Sequence, residues 1–293
     1  MEEKVTEFIT LDWKNSIIQS EFSGGGGQNI KIKENQVDNN KCYIYFSSND
    51  LYYKDSEPDF KKKIVENNRY EWLNRSAADV PHKEIFIRDV WLSWYVNGAN
   101  GKLNSLDKLI DYLKTATKGF EVTTVGVSSG GYVASIVASK LGAERCFDFS
   151  GQFSLLHHFD HVKTNPFLRN YYSDHPEGEY LEAYRVIRGT KTSIYYFLPT
   201  KSAQDIEQAQ YAVQCENVKC IRFSNKRHGS PVLSISLPDL LSWDNYKLDE
   251  LFRRSQKNEL NTILFSMEVS GVLRTCSFLC KKVFSIMKKA HRK

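Results

Sequence analysis

Strand-like and helix-like segments alternate along residues 41–243, which predicts an α/β fold: a mostly parallel sheet with helices on both faces. Two observations carry this. Apolar, β-branched or aromatic runs recur at Cys42–Phe46, Glu84–Ile87, Val122–Val125, Glu144–Phe149, Ser193–Leu198 and Val218–Phe223. They have the composition of buried strands. The third of them runs straight into Gly126-Val127-Ser128-Ser129-Gly130 and then an Ala/Val/Ile-rich helix, from Ser129 to about Leu141.

In chain order, residues 4–13 and 28–34 read as edge strands with a loose Gly24–Gly27 connection between them. That glycine run lacks the following helix and Lys of a phosphate cradle. Cys42–Phe46 reads as a central strand ending in the polar loop Ser47–Asp50, at the end of a sheet where α/β proteins bind ligands. A charged helix is expected over roughly 59–73, with Lys61–Lys63 on a solvated face. Trp91, Trp94 and Tyr95 follow the next strand and suit either the core or a sugar-stacking face. A helix from about Ser105 to Thr117 leads to the glycine-bounded corner. Residues 152–190 are irregular and resemble a lid-like insertion. In it His157, Asp160 and His161 have helical spacing, but no Glu sits beside the first His as a zinc-hydrolase helix requires, so no metal is expected. A helix running to about Cys215, the last strand, the loop Ser224–Pro231 and a further helix complete the alternation. No internal repeat is visible.

At 293 residues, with 41% hydrophobic and 26% charged residues, the chain is an ordinary globular protein. Composition changes near residue 245, which suggests a main domain over 1–244 and a helical extension over 245–293. Net charge is +5, and the excess lies at the far end: after Glu268 there is no acidic residue, while Arg274, Lys281, Lys282, Lys288, Lys289, Arg292 and Lys293 are basic. A basic amphipathic helix over 272–293 can lie on an anionic membrane, dock on a partner assembly, or fold back on its own domain. Nucleic acid is not expected, because no aromatic platform accompanies the basic residues. Six cysteines without C-x-x-C spacing read as reduced, buried thiols. With no signal-peptide start and no apolar run of ~20 residues, the expected location is cytoplasmic, with possible peripheral contact at the inner membrane face.

The corner carries the chemistry. A strand that turns directly into a helix strains its corner residue and leaves no room for side chains two positions away, hence glycine at 126 and 130. Ser128 is thereby thrust out at the helix N-terminus, where the N–H of Ser129 can face a developing oxyanion. A serine hydroxyl needs a base within hydrogen-bond reach and a carboxylate to orient that base. His228, a few residues past the last strand, is placed to be the base. Asp205, after the preceding strand, is placed to be the acid, with Glu207 and Asp148 as substitutes. The order Ser, acid, His is the one such a sheet requires.

Gly126–Gly130 with Asp205 and His228 resembles the α/β-hydrolase superfamily over about residues 41–243. Within it, the chain is similar to bacterial serine-dependent proteins of capsule and surface-polysaccharide synthesis, some of them sugar O-acetyltransferases that use acetyl-CoA. The resemblance implies acyl transfer through an acyl-Ser128 intermediate, with an ester or glycan substrate and no required cofactor beyond acetyl-CoA as donor in a transferase. It also implies an oxyanion loop after Cys42–Phe46. This loop lacks the His-Gly or Gly-Gly-Gly of many esterases, so Ser47 or Ser48 is the expected second donor. Three readings stay open: an esterase, an O-acetyltransferase, and a non-catalytic scaffold at a membrane-associated assembly.

Overall fold

Among the described residues, seven strands form one sheet in the order β1-β3-β2-β4-β5-β6-β7, and of these only β1 runs antiparallel to its neighbour. They are β1 (Ile30–Glu34), β2 (Lys41–Phe46), β3 (Lys83–Ile87), β4 (Glu121–Val127), β5 (Arg145–Phe149), β6 (Ser193–Pro199) and β7 (Val218–Phe223). The helices are α1 (Ser16–Ser23), α2 (Glu57–Phe60), α3 (Leu106–Ala116), α4 (Ser129–Leu141), α5 (Ala183–Ile187), α6 (Ala203–Ala212), α7 (Leu237–Leu241), α8 (Asn245–Lys257), α9 (Thr262–Ser270) and α10 (Val272–Ala290). This computed structural model describes residues 16–24, 29–52, 56–156, 173–175 and 178–290. The expected strand at 4–13, most of the Gly24–Gly27 connection, most of the lid-like segment, and His157, Asp160 and His161 lie outside the described residues.

Alternation along the strands sorts the core into two halves. Cys42, Ile44 and Phe46 of β2 and Ile194 and Tyr196 of β6 pack with α3 and α4 on one face. Tyr43, Tyr45, Phe147, Tyr195 and Phe197 point to the other and meet α7, α8 and α9. That second face is aromatic, with Tyr45 stacked on Phe86 at 4.9 Å and Phe149 on Phe197 at 4.5 Å between ring centroids. Leu248 and Leu251 of α8 and Phe265 of α9 belong to this core, so the composition changes near residue 245 while the packing runs on to residue 270.

Three expectations need correction. The helix expected over 59–73 ends early: α2 continues as a wider π-turn over Lys61–Glu66, and Asn68 then takes φ 42°, a left-handed conformation that Asn tolerates. The chain turns back there, and Trp72 Nε1 donates to the Phe46 carbonyl at 2.9 Å. The sugar-stacking reading of the aromatic loop fails for Trp94 and Tyr95, which are buried. Asp89 holds that loop by accepting from the backbone N–H of Trp91, Ser93 and Tyr95 at 2.9, 2.6 and 2.9 Å, which fixes left-handed backbone at Leu92, Trp94 and Tyr95. Finally, the cysteines are all free thiols, but only Cys42, Cys146 and Cys215 are buried, while Cys276 and Cys280 on α10 are exposed.

Leu251, only 2% exposed, tests how far the core extends. Leu251→Ala is expected to cost about 3 kcal/mol in denaturant unfolding, through lost burial and the cavity left behind. A cost below about 0.5 kcal/mol would mark α8 as an appendage.

Candidate active site

The β4–α4 corner positions the site. Ser128 has φ 55° and ψ −123°, a strained conformation for a residue with a Cβ. Its N–H donates to the Phe149 carbonyl at 2.9 Å, and Tyr132 N–H returns to the Ser128 carbonyl at 3.0 Å. The flanking glycines are sterically required. A Cβ on Gly126 would lie 2.0 Å from the Gly130 carbonyl oxygen, and one on Gly130 would lie 2.5 Å from that of Phe46. Helix α4 therefore seats its first turn directly against the end of β2.

The three residues expected to act together are brought together. Asp205 sits in the first turn of α6, 1% exposed. His228 lies in the loop after β7, partly exposed, and its carbonyl neighbour is fixed: Ser150 Oγ donates to the Gly229 oxygen at 2.8 Å. His228 Nδ1 is 2.9 Å from Asp205 Oδ1, and Nε2 is 2.8 Å from Ser128 Oγ. An ionised carboxylate can only accept, so Nδ1 carries the hydrogen and Nε2 is left to accept from the Ser128 hydroxyl. Such an arrangement can draw a proton from the serine as its oxygen attacks. Asp205, rather than Glu207 or Asp148, is the carboxylate that meets His228.

The oxyanion side differs from expectation. Ser129 is the first residue of α4, where an N–H has no acceptor within its own helix. Ser47 does not supply a second donor. Its N–H continues the β2–β3 pairing and donates to the Ile87 carbonyl at 2.9 Å. Ser48 N–H is also taken, by Glu71 Oε2 at 2.7 Å. Asn49 N–H donates to Ser129 Oγ at 2.9 Å, and Ser129 Oγ donates onward to Asn49 Oδ1 at 3.0 Å. The loop after β2 is thus clamped to the start of α4. Sequence reading gave no signal for Glu71, because its contact with Ser48 spans 23 residues and follows no periodicity. Burial raises its carboxyl above the usual range, with the Ser48 N–H pulling the other way.

A pocket of about 250 Å³ opens over Ser128 and His228, walled by Asn49, Glu71, Arg75 and Arg227 among others. Both arginines are exposed, and among the described residues neither is in an ion pair. Beneath the corner lies a second buried carboxylate, Asp148 on β5. It accepts from Ser135 Oγ and from Gly151 N–H, each at 2.7 Å. A Cβ on Gly131 or Gly151 would lie 2.3 Å from its Oδ1, so both glycines make room for it. Burial, then the nearby Asp205 charge, push the Asp148 carboxyl up to about 7, against the pull of Ser135, Gly151 and His228.

Sheet order, corner and covering helices together make this an α/β-hydrolase-like fold. No family model matches the chain, and no curated protein sequence matches it. Solved structures of similar fold include the capsule O-acetyltransferase of Neisseria meningitidis serogroup A, at 13% identity and TM-score 0.48, covering 78% of this chain and 90% of that one. Esterase B from Lactobacillus rhamnosis aligns at 11% identity and TM-score 0.45, over 81% of this chain and 85% of that one. A Pyrobaculum calidifontis esterase aligns at 8% identity and TM-score 0.42, over 77% and 80%.

Asp148 gives a pH prediction. The unfolded chain releases this proton near pH 4, whereas the folded chain holds it to about 7. The folded state binds more protons in between, so the carboxyl lowers stability as pH rises from about 4 to 7, by on the order of 4 kcal/mol in all. Asp148→Asn, which can still accept from Gly151, is expected to remove this part of the decline when unfolding is followed across that range. A parallel pH dependence in both proteins would contradict it.

Proposed function

We propose that the chain is a serine-nucleophile acyl-transfer enzyme acting on an ester, with O-acyl groups of a bacterial surface glycan or its precursor as the substrate class. The observation that carries this is the unbroken relay Ser128–His228–Asp205, at 2.8 and 2.9 Å, with its serine on a strained corner. Ser128 Oγ attacks the ester carbonyl carbon while His228 Nε2 takes the hydroxyl proton. Asp205 holds the ring and stabilises the imidazolium, and the Ser129 N–H faces the oxyanion. His228 then returns the proton to the departing alcohol, leaving acyl-Ser128. Water, activated by the same histidine, attacks the acyl carbon and frees the enzyme.

The second reading, an O-acetyltransferase that draws acetyl groups from acetyl-CoA and passes them to a glycan hydroxyl, is favoured by one feature. Arg75 and Arg227 line the pocket, Arg75 beside the Glu71 carboxyl on which its charge acts and Arg227 in no ion pair among the described residues, and a cationic wall suits a donor bearing phosphates. A non-catalytic scaffold has no use for the relay.

The test measures turnover of p-nitrophenyl acetate, and of acetyl-CoA with and without O-deacetylated glycan. Ser128→Ala and His228→Ala are each expected to lower kcat by about a thousandfold or more. Acetyl-CoA turnover that rises with added glycan, and a KM for acetyl-CoA raised in Arg75→Ala and Arg227→Ala, would select the transferase. Turnover unchanged in Ser128→Ala would overturn the serine mechanism.

A further inference from the structure

Helix α10 is 19 residues long, about 28 Å at 1.5 Å per residue. Among the described residues it meets the rest of the chain along one edge. Thr275 is buried and its Oγ1 donates to the Ser266 carbonyl at 3.0 Å. Phe278 and Leu279 are half-buried, and Arg274 pairs with Asp239 at 2.8 Å. Folding back on its own domain therefore accounts for that edge and leaves Val272, Leu273, Cys276, Cys280, Val283, Phe284 and Met287 exposed.

The remainder has two distinct sides. At ~100° per residue, Val272, Leu273, Cys276, Cys280, Val283, Phe284 and Met287 fall within an arc of roughly 120°. All are exposed, with Leu273 at 87% and Phe284 at 65%. Beside this arc, Lys281 and Lys288 share one line along the helix with Arg274, whose charge Asp239 already meets. Of the docked edge, Phe278 lies opposite the apolar arc while Leu279 borders it beside Val272 and Val283, yet every residue of the arc is exposed, so the body of the protein leaves it uncovered.

We propose that α10 is an in-plane anchor for an anionic lipid bilayer, its apolar arc sunk at the headgroup boundary and its cations among the lipid phosphates. Three observations select this occupant. An apolar arc flanked by Lys and Arg, on a helix of low mean hydropathy, matches the interface between acyl chains and headgroups. Every charged residue after Glu268 is basic, so two copies apposed through this helix would bring uncompensated lysines together, whereas a negatively charged surface neutralises them. Among the described residues, no helix is long and apolar enough to cross a membrane, so the helix lies on the bilayer. None of this depends on the acyl-transfer reading, since Ser128 and its partners play no part in it.

The test is flotation of the full chain with vesicles of phosphatidylcholine alone, or with about 30% phosphatidylglycerol, in about 0.1 M and about 0.5 M salt, which shortens the screening length. Binding is expected to the anionic vesicles, to be weak on phosphatidylcholine, and to fall at the higher salt. Lys281→Glu/Lys282→Glu/Lys288→Glu should weaken it about tenfold or more. Leu273→Asp/Phe284→Asp should abolish it. These side chains are exposed, so both variants should keep the wild-type Tm, which separates lost binding from lost folding. Equal binding to neutral and anionic vesicles, or no binding by the folded chain, would overturn the proposal. So would self-association in sedimentation that Phe284→Asp abolishes without any vesicle binding, which would make a second copy the occupant.

Discussion

A strand that passes into a helix within one residue forces two backbones together, and the site is arranged around that contact. With glycine at 126 and 130, the first turn of α4 presses against the end of β2, and Ser128 is left as the one residue that must adopt positive φ at the corner. The strain is borne by neighbours: Phe149 of β5 accepts the Ser128 N–H, and the Asn49–Ser129 clamp ties the β2 loop to the helix. A serine held this way has little rotameric or backbone freedom, and proximity to His228 then costs little further entropy.

Charge is handled by separation of two acids. Asp205 and Asp148 are both buried beneath the corner, and two ionised carboxylates so close would destabilise each other. The structure assigns them different partners. Asp205 receives the His228 ring hydrogen, while Asp148 receives a hydroxyl and an amide and keeps its proton to about pH 7. Asp148 thus braces the corner without drawing the histidine away from Asp205.

The parts of this arrangement that sequence revealed are those with local signatures. The β4–α4 corner announces itself through glycine spacing, and Asp205 and His228 through their place just past successive strands, so chain order alone selects them. Contacts between distant irregular segments carry no such signal. Ser47 looked like an oxyanion donor because it follows β2, but that assignment needs the sheet order, which puts β3 alongside and commits the Ser47 N–H to Ile87. Glu71 escaped notice because a helix was expected through it, where Asn67 and Asn68 in fact turn the chain back. The shift to charged residues near 245 reflects the solvent side of α8. Its inward side, Leu248 and Leu251, continues the aromatic core.

Whether the relay activates Ser128 is measured most directly by intact-mass analysis after exposure to a fluorophosphonate, which reacts with an activated serine. Wild type should take a single adduct. Ser128→Ala should take none, and His228→Ala should react about a hundredfold more slowly or less. A folded wild type that stays unlabelled, or a Ser128→Ala variant labelled as fast as wild type, would contradict the account.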